Sequence, residues 1–300
     1  MKATRLLTSS ALKPLGRGLR TEFETIMGRP ELATSERFCW DPWYVRGEYN
    51  LLRAPADYLF SEKSFSQFRS ALCDFGAKNF ACPSVSPLWV SLYTEGHFQK
   101  MHSDFPHGAW AFVYSLNPRK ILFKGGETLV AKDTLCDFWR SISEGRDTHE
   151  SDFFESHLLK QGELLVFDSR LPHLVNQVRG VDDPMEGRLV LHGWFETPEP
   201  WAIGNIAPSF VKKKVVEFLD LAGPVFESEE VLHGFLCLKF NVTASGKVEL
   251  TPRLRHSLVD RQNPSRSLAG FFKRLEAVLL NMDFRCKDSA STWHIPLVMK

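Results

Sequence analysis

Apolar positions in the first 85 residues recur at helical spacing in two places. Leu19 to Met27 and Ser61 to Phe75 follow the three-to-four-residue period of amphipathic helices. Between them, Phe38-Cys39-Trp40-Asp41-Pro42-Trp43-Tyr44 concentrates aromatic rings, and rings at that density are expected to bury against a larger body. Residues 21–85 therefore read as a helical, aromatic-rich support packed on a sheet.

From about residue 86 the rhythm shortens to apolar runs cut by Gly, Pro and Asn. Leu88–Tyr93, Ala109–Leu116, Glu127–Ala131, Glu163–Phe167, Leu174–Val178 and Arg188–Phe195 are predicted strands, with turns at Asn117-Pro118 and Gly125-Gly126. Lys132 to Lys160 breaks the rhythm, and Thr134 to Ile142 and Asp152 to Leu159 read as helices. An all-β core over 86–200 with a helical insertion at about 132–160 predicts a sandwich or barrel.

A linking segment over 201–224 follows, in which Pro208 to Leu221 reads as an amphipathic helix capped by Ser209 and stopped by Gly223-Pro224. Residues 225–300 form a different pattern. Strands at Gly234–Val242 and Lys247–Leu250 flank a turn at Ser245-Gly246; a helix over Ser267–Leu280 and a strand over Trp293–Val298 complete a small α+β module. A partner or a protein substrate is the expected ligand of that module.

Composition narrows the classes. The 43 % hydrophobic and 24 % charged content is that of a soluble globular protein. A net charge of +1 gives no global attraction to nucleic acid or an acidic membrane surface, and neither partner is expected. No run approaches the roughly 20 apolar residues of a membrane helix. Six scattered cysteines without Cys-x-x-Cys spacing suggest free thiols in a reducing compartment, so a cytoplasmic location is expected. Residues 1–20 are basic (Lys2, Arg5, Lys13, Arg17, Arg20), with no acid before Glu22. That fits a basic N-terminus of a cytosolic protein, or a mitochondrial transit peptide if the source is eukaryotic. Lys212-Lys213-Lys214 reads as a solvated helix face.

Candidate chemistry gathers at His102-Ser103-Asp104 and at His173, which follows Phe167-Asp168-Ser169-Arg170-Leu171-Pro172. On an extended strand, residues two apart face one side, so His102 and Asp104 can reach one ion. Two imidazoles and a carboxylate on one face of a metal leave open positions, as non-haem ferrous oxygenases require. A lone His-x-Asp would equally fit a surface turn. The strand Arg188-Leu189-Val190-Leu191-His192-Gly193-Trp194-Phe195 strengthens the case, because Arg188, Val190, His192 and Trp194 share one face. An arginine facing an apolar interior needs an anion to offset its desolvation, and the distal carboxylate of 2-oxoglutarate would supply one.

Tyr93-Thr94-Glu95-Gly96, His102-Ser103-Asp104, Gly125-Gly126-Glu127-Thr128, Phe167, His173 and Arg188 occur in that order. In this respect the stretch from Trp89 to Phe195 resembles the 2-oxoglutarate- and iron-dependent dioxygenase superfamily, nearest its prolyl 4-hydroxylase-like branch. It departs from the branch at Gln99, where an aromatic is usual, and in the inserted segment Val181 to Glu186.

The resemblance implies a mainly β fold with helical support: a double-stranded β-helix (jelly-roll) core plus the C-terminal module. It implies that Fe(II) is held by His102, Asp104 and His173, with 2-oxoglutarate on Arg188 helped by Tyr93, O2 as cosubstrate and ascorbate as a reductant. The retained Asp104 points to hydroxylation over halogenation. The expected reaction hydroxylates an unactivated C–H bond of a small-molecule, amino-acid or peptidyl (prolyl-like) substrate and releases succinate and CO2. His192, Trp110, His107 and Arg170 are candidates for substrate contact, each with a plain packing or solvent role as its alternative; Tyr93 likewise fits a core aromatic. Segments 132–160 and 182–187 are candidate lids. Two other readings fit the ligands: a cupin-like metalloenzyme that does not use 2-oxoglutarate, and a non-catalytic binding protein built on the same barrel.

Overall fold

The computed structural model describes residues 6–29, 39–132, 143–145, 149–229, 231–286 and 289–299. They fall into two compact units, 6–75 with 84–196, and 76–83 with 197–299. No helix among them is long and apolar enough to cross a membrane.

The first unit is a jelly roll. Its strands are β1 (Leu6–Ser9), β2 (Asp41–Val45), β3 (Tyr49–Pro55), β4 (Trp89–Tyr93), β5 (Phe98–His102), β6 (Trp110–Ser115), β7 (Thr128–Ala131), β8 (Phe154–His157), β9 (Leu164–Asp168), β10 (His173–Val175) and β11 (Arg188–Phe195). Four of them run in the order β9-β6-β11-β4 and four in the order β5-β10-β7-β8, antiparallel throughout. Strand β3 bridges the two sets, pairing β4 through Leu52–Pro55 and β5 through Tyr49 and Asn50. Strands β9, β6 and β11 are near-continuous apolar runs because both of their faces are covered; Phe112, Phe167 and Phe195 are almost fully buried.

Residues 6–28 are built into this unit. Strand β1 adds to the free edge of β9, and the Tyr114 hydroxyl donates to Leu12 O at 2.8 Å. Helix α1 (Lys13–Gly28) starts with Pro14 in its first turn, where the missing N–H costs nothing. Gly16 lies against the Tyr114 ring so closely that a Cβ would fall 2.1 Å from its hydroxyl.

In the first unit two local expectations differ from the structure. The support region is not helical throughout: Asp41–Pro55 is a hairpin of β2 and β3, turned at Gly47 (φ 78°). Its alternation places Tyr49, Leu51 and Arg53 on the pocket face, while β2 is an exposed edge with Tyr44 65 % accessible. The helices of the region are α2 (Ala56–Leu59) and α3 (Glu62–Phe80). The second correction concerns Asp152 to Leu159. Only the short helix α4 (Glu150–Phe153) forms, and Phe154–His157 becomes strand β8 because β7 offers a free edge to pair. The helix expected at Thr134 to Ile142 lies outside the described residues.

The second unit holds β12 (Trp201–Ile203), α5 (Pro208–Glu227), β13 (Leu232–Val242), β14 (Val248–Leu250), β15 (Val259–Asp260), α6 (Ala269–Leu280) and β16 (Ser291–Met299). Its sheet runs β12-β16-β13-β14, with β15 on β13. Phe218 of α5 and Leu275 of α6 share an apolar core with Phe240, Trp293 and Ile295. Helix α5 passes through Gly223-Pro224 instead of stopping there, and it begins on Pro208 after Ala207, not on a Ser209 cap. Burial of Ala222 and packing of Val225 and Phe226 on the core offset the hydrogen bond that Pro224 removes.

Candidate metal centre

The ladder between β5 and β10 sets His102 directly opposite His173. Asp104 follows two residues after His102, in the loop that leaves β5, and its backbone N–H donates to Ser169 O at 2.9 Å. The loop after His102 is thereby tied to the loop before His173. One side-chain ligand atom from each of His102, Asp104 and His173 lies within 4.8 Å of the other two. Asp104 reaches His102 Nε2 at 3.7 Å and His173 Nε2 at 3.5 Å.

Both imidazoles are oriented from behind. His102 Nδ1 meets Lys100 O at 2.7 Å, and His173 Nδ1 meets Leu171 O at 3.0 Å. A carbonyl accepts only, so each Nδ1 carries the proton and each Nε2 lone pair faces the cluster. Histidines that bind metals are commonly fixed in this way. Burial lowers the pKa of His173, against the pull of Asp104, which keeps a neutral imidazole available as a ligand. Gln99 Nε2 lies 3.0 Å from His102 Nε2, while its Oε1 accepts from the Tyr93 hydroxyl at 3.2 Å.

The loop presenting His173 has its own lock. Arg170 Nε and Nη2 reach Asp168 Oδ1 and Oδ2 at 2.8 and 2.7 Å, and Asp168 is fully buried. This pair holds the Arg170 guanidinium, and Arg170 is not among the residues that line the cavity described below.

The three ligands line a cavity of about 230 Å³. Arg188 lines it too, only 3 % exposed, with its guanidinium 4.6 Å above the Tyr93 ring. Nη2 donates to Thr128 Oγ1 at 3.0 Å, whereas Nη1 is buried and has no hydrogen-bond partner. Burial lowers the Arg188 pKa; Tyr93 and the more distant Glu127 carboxylate oppose that shift. A buried guanidinium short of one acceptor matches an incoming carboxylate, which takes two parallel N–H donors. Gly125-Gly126 makes room for it: both take φ near +75°, and a Cβ on Gly126 would meet Arg188 Cδ at 3.1 Å.

Val190, His192 and Trp194 follow Arg188 along the same pocket wall. His192 Nε2 lies 2.8 Å from Ser91 Oγ, and burial, followed by the charges of Arg53 and Arg188, pushes its pKa down to about 3. His107 packs on Trp194 with ring centres 4.8 Å apart and lines the cavity. Trp110 does not: it is fully buried in the sheet, because its position opposite Phe195 and Asp168 in the ladders points it into the core. Arg53, Trp43 and Ser91 are pocket residues that the motif order did not mark. Arg53 was legible only once β3 was known as a strand, from its alternation with Tyr49 and Leu51.

Residues 88–196 match the family model described as the 2OG-Fe(II) oxygenase superfamily. No curated protein matches the chain in sequence. Among solved structures, a prolyl-4-hydroxylase from Pseudomonas putida is 17% identical, with a TM-score of 0.44, over 64% of this chain and 91% of that one. A prolyl hydroxylase from Trichoplax adhaerens, in complex with a hypoxia inducible factor peptide fragment, is 13% identical over 64% and 84%, with a TM-score of 0.44. HygX from Streptomyces hygroscopicus, with nickel and 2-oxoglutarate bound, is 13% identical over 66% and 85%, with a TM-score of 0.41. The donor set fits Fe(II), and the orphaned Arg188 Nη1 fits 2-oxoglutarate. Residues 88–196 thus match the 2OG-Fe(II) oxygenase superfamily in sequence, and the donor set they carry suits that family's metal.

Proposed function

We propose that the protein hydroxylates an unactivated C–H bond of an amino-acid or peptidyl substrate, in a reaction that turns substrate, O2 and 2-oxoglutarate into the alcohol, succinate and CO2. The observation carrying this reading is the shared cavity: three metal-type ligands and an arginine with a free buried donor line one space. Fe(II) with 2-oxoglutarate supplies the oxidising power when bound. His102, Asp104 and His173 would hold the ion, and Arg188 with Thr128 would hold the distal carboxylate. Tyr93 supports the guanidinium from below. Val190, Phe112 and Phe167 line the cavity and limit water beside the reacting carbon.

A cupin-like enzyme without 2-oxoglutarate has no use for Arg188, and a mere scaffold has no use for histidines preset on their Nδ1 carbonyls. Incubation with ferrous iron, 2-oxoglutarate, ascorbate and O2, with succinate followed by NMR, tests the reading. Slow succinate formation that His173→Ala abolishes is expected; equal succinate from both proteins contradicts it.

A further inference from the structure

A second arginine lines the cavity and is not needed by the cosubstrate. Arg53 stands on β3, on the pocket face shared with Tyr49 and Leu51. Its guanidinium carbon lies 3.8 Å from the centre of the Trp43 ring and 4.0 Å from that of Trp89. Two indoles therefore hold one cation between them.

Among the described residues this guanidinium makes no hydrogen bond and no ion pair, and its Nε is buried without a partner. Asp41, opposite it in the β2–β3 ladder, acts on it only through its field. Burial lowers the Arg53 pKa, so the charge is held at a cost that an anion would offset.

The ring faces fix which anion suits it. With one indole from β2 and one from β4 against it, the guanidinium has its N–H groups left for an anion, and a planar carboxylate meets that fork best. The distal carboxylate of 2-oxoglutarate is matched by Arg188, which stands two strands away from Arg53 on the same sheet face, beside Tyr93, and donates to Thr128. Arg53 instead neighbours Ser91 in the β3–β4 ladder, and Ser91 bonds His192. His192 is neutral at ordinary pH and does not compete for the anion.

We propose that Arg53, clamped between Trp43 and Trp89, binds a carboxylate of the primary substrate, so that the enzyme oxidises a free carboxylic acid and not an internal residue of a chain. The acid is a free amino acid or the C-terminal residue of a peptide. This inference rests on the ferrous, 2-oxoglutarate-dependent reading of the same cavity.

The ferrous 2-oxoglutarate complex is formed without oxygen and its visible charge-transfer band recorded as free amino acids and dipeptides are added singly, each beside its carboxamide. At least one free acid is expected to shift the band while its carboxamide does not. Arg53→Gln should raise that acid's half-saturating concentration tenfold or more, and Arg53→Lys, which keeps the charge, should recover part of the loss. A response to free amino acids, or to dipeptides alone, identifies the source of the carboxylate. The inference is overturned if no acid shifts the wild-type band, if acids and carboxamides act alike, or if Arg53→Gln responds as wild type does. Failure of the wild-type band to form at all removes the underlying cofactor reading instead, which keeps the two failures apart.

Discussion

Arg188 donates to Thr128 Oγ1 at 3.0 Å with one terminal nitrogen and leaves the other buried and unmatched. A hydroxyl is a weak partner for a buried cation. Leaving a donor unsatisfied costs about 1–3 kcal/mol, and a charged donor more. The arrangement is therefore poised for an anion, and several consequences follow from its surroundings.

Gly126→Ala should weaken 2-oxoglutarate binding without weakening metal binding. The added Cβ falls 3.1 Å from Arg188 Cδ, at φ 75° where a side chain is strained by about 1–2 kcal/mol. Calorimetric titration of the zinc-loaded variant with 2-oxoglutarate checks it, with zinc affinity measured alongside.

Arg170→Ala should destabilise the first unit by about 3 kcal/mol, because it removes the guanidinium paired with the fully buried Asp168 carboxylate. It should also lower zinc affinity, since the loop from Asp168 to His173 loses its lock. Urea unfolding and zinc titration read the two effects. If Arg170 served the substrate alone, both quantities would stay at wild-type values.

Stability should fall as the solution is acidified below pH 6.5. The pKa of His192 is about 3 in the folded chain and about 6.5 when unfolded, so the unfolded chain takes up the proton first. The contribution is complete above pH 6.5 and is lost progressively down to about pH 3. His256 and His294, both pushed down to about 4 chiefly by burial, act in the same direction in the second unit. His192→Asn should make the pH dependence of urea unfolding shallower; an unchanged slope would mean that His192 takes up its proton at the same pH in the folded and unfolded chain.

Much of the jelly roll was readable because its strands carry strong local signals. β4, β6, β7, β9 and β11 are apolar runs bounded by Gly, Pro or Asn, and Arg188 sits on the face its strand period gives it. β8 was not readable: Phe154-Glu155-Ser156-His157 has no strand pattern of its own and is set by the free edge of β7. β1 joins the sheet for the same reason, by pairing with β9. At the site, His102, Asp104 and His173 were recognisable by order and spacing. Trp110 and Arg170 were assigned near the substrate from sequence proximity, which carries no information on side-chain direction. Arg53 lies outside the motif span, and its place depends on a tertiary pairing of β3 with β4.

The most direct test is anaerobic addition of ferrous iron and 2-oxoglutarate, watching for the visible metal-to-ligand charge-transfer band in wild type, Arg188→Ala and His173→Ala. A band is expected in wild type, greatly weakened in both variants. Bound iron with no band in wild type, or a band of full strength in Arg188→Ala, would contradict it.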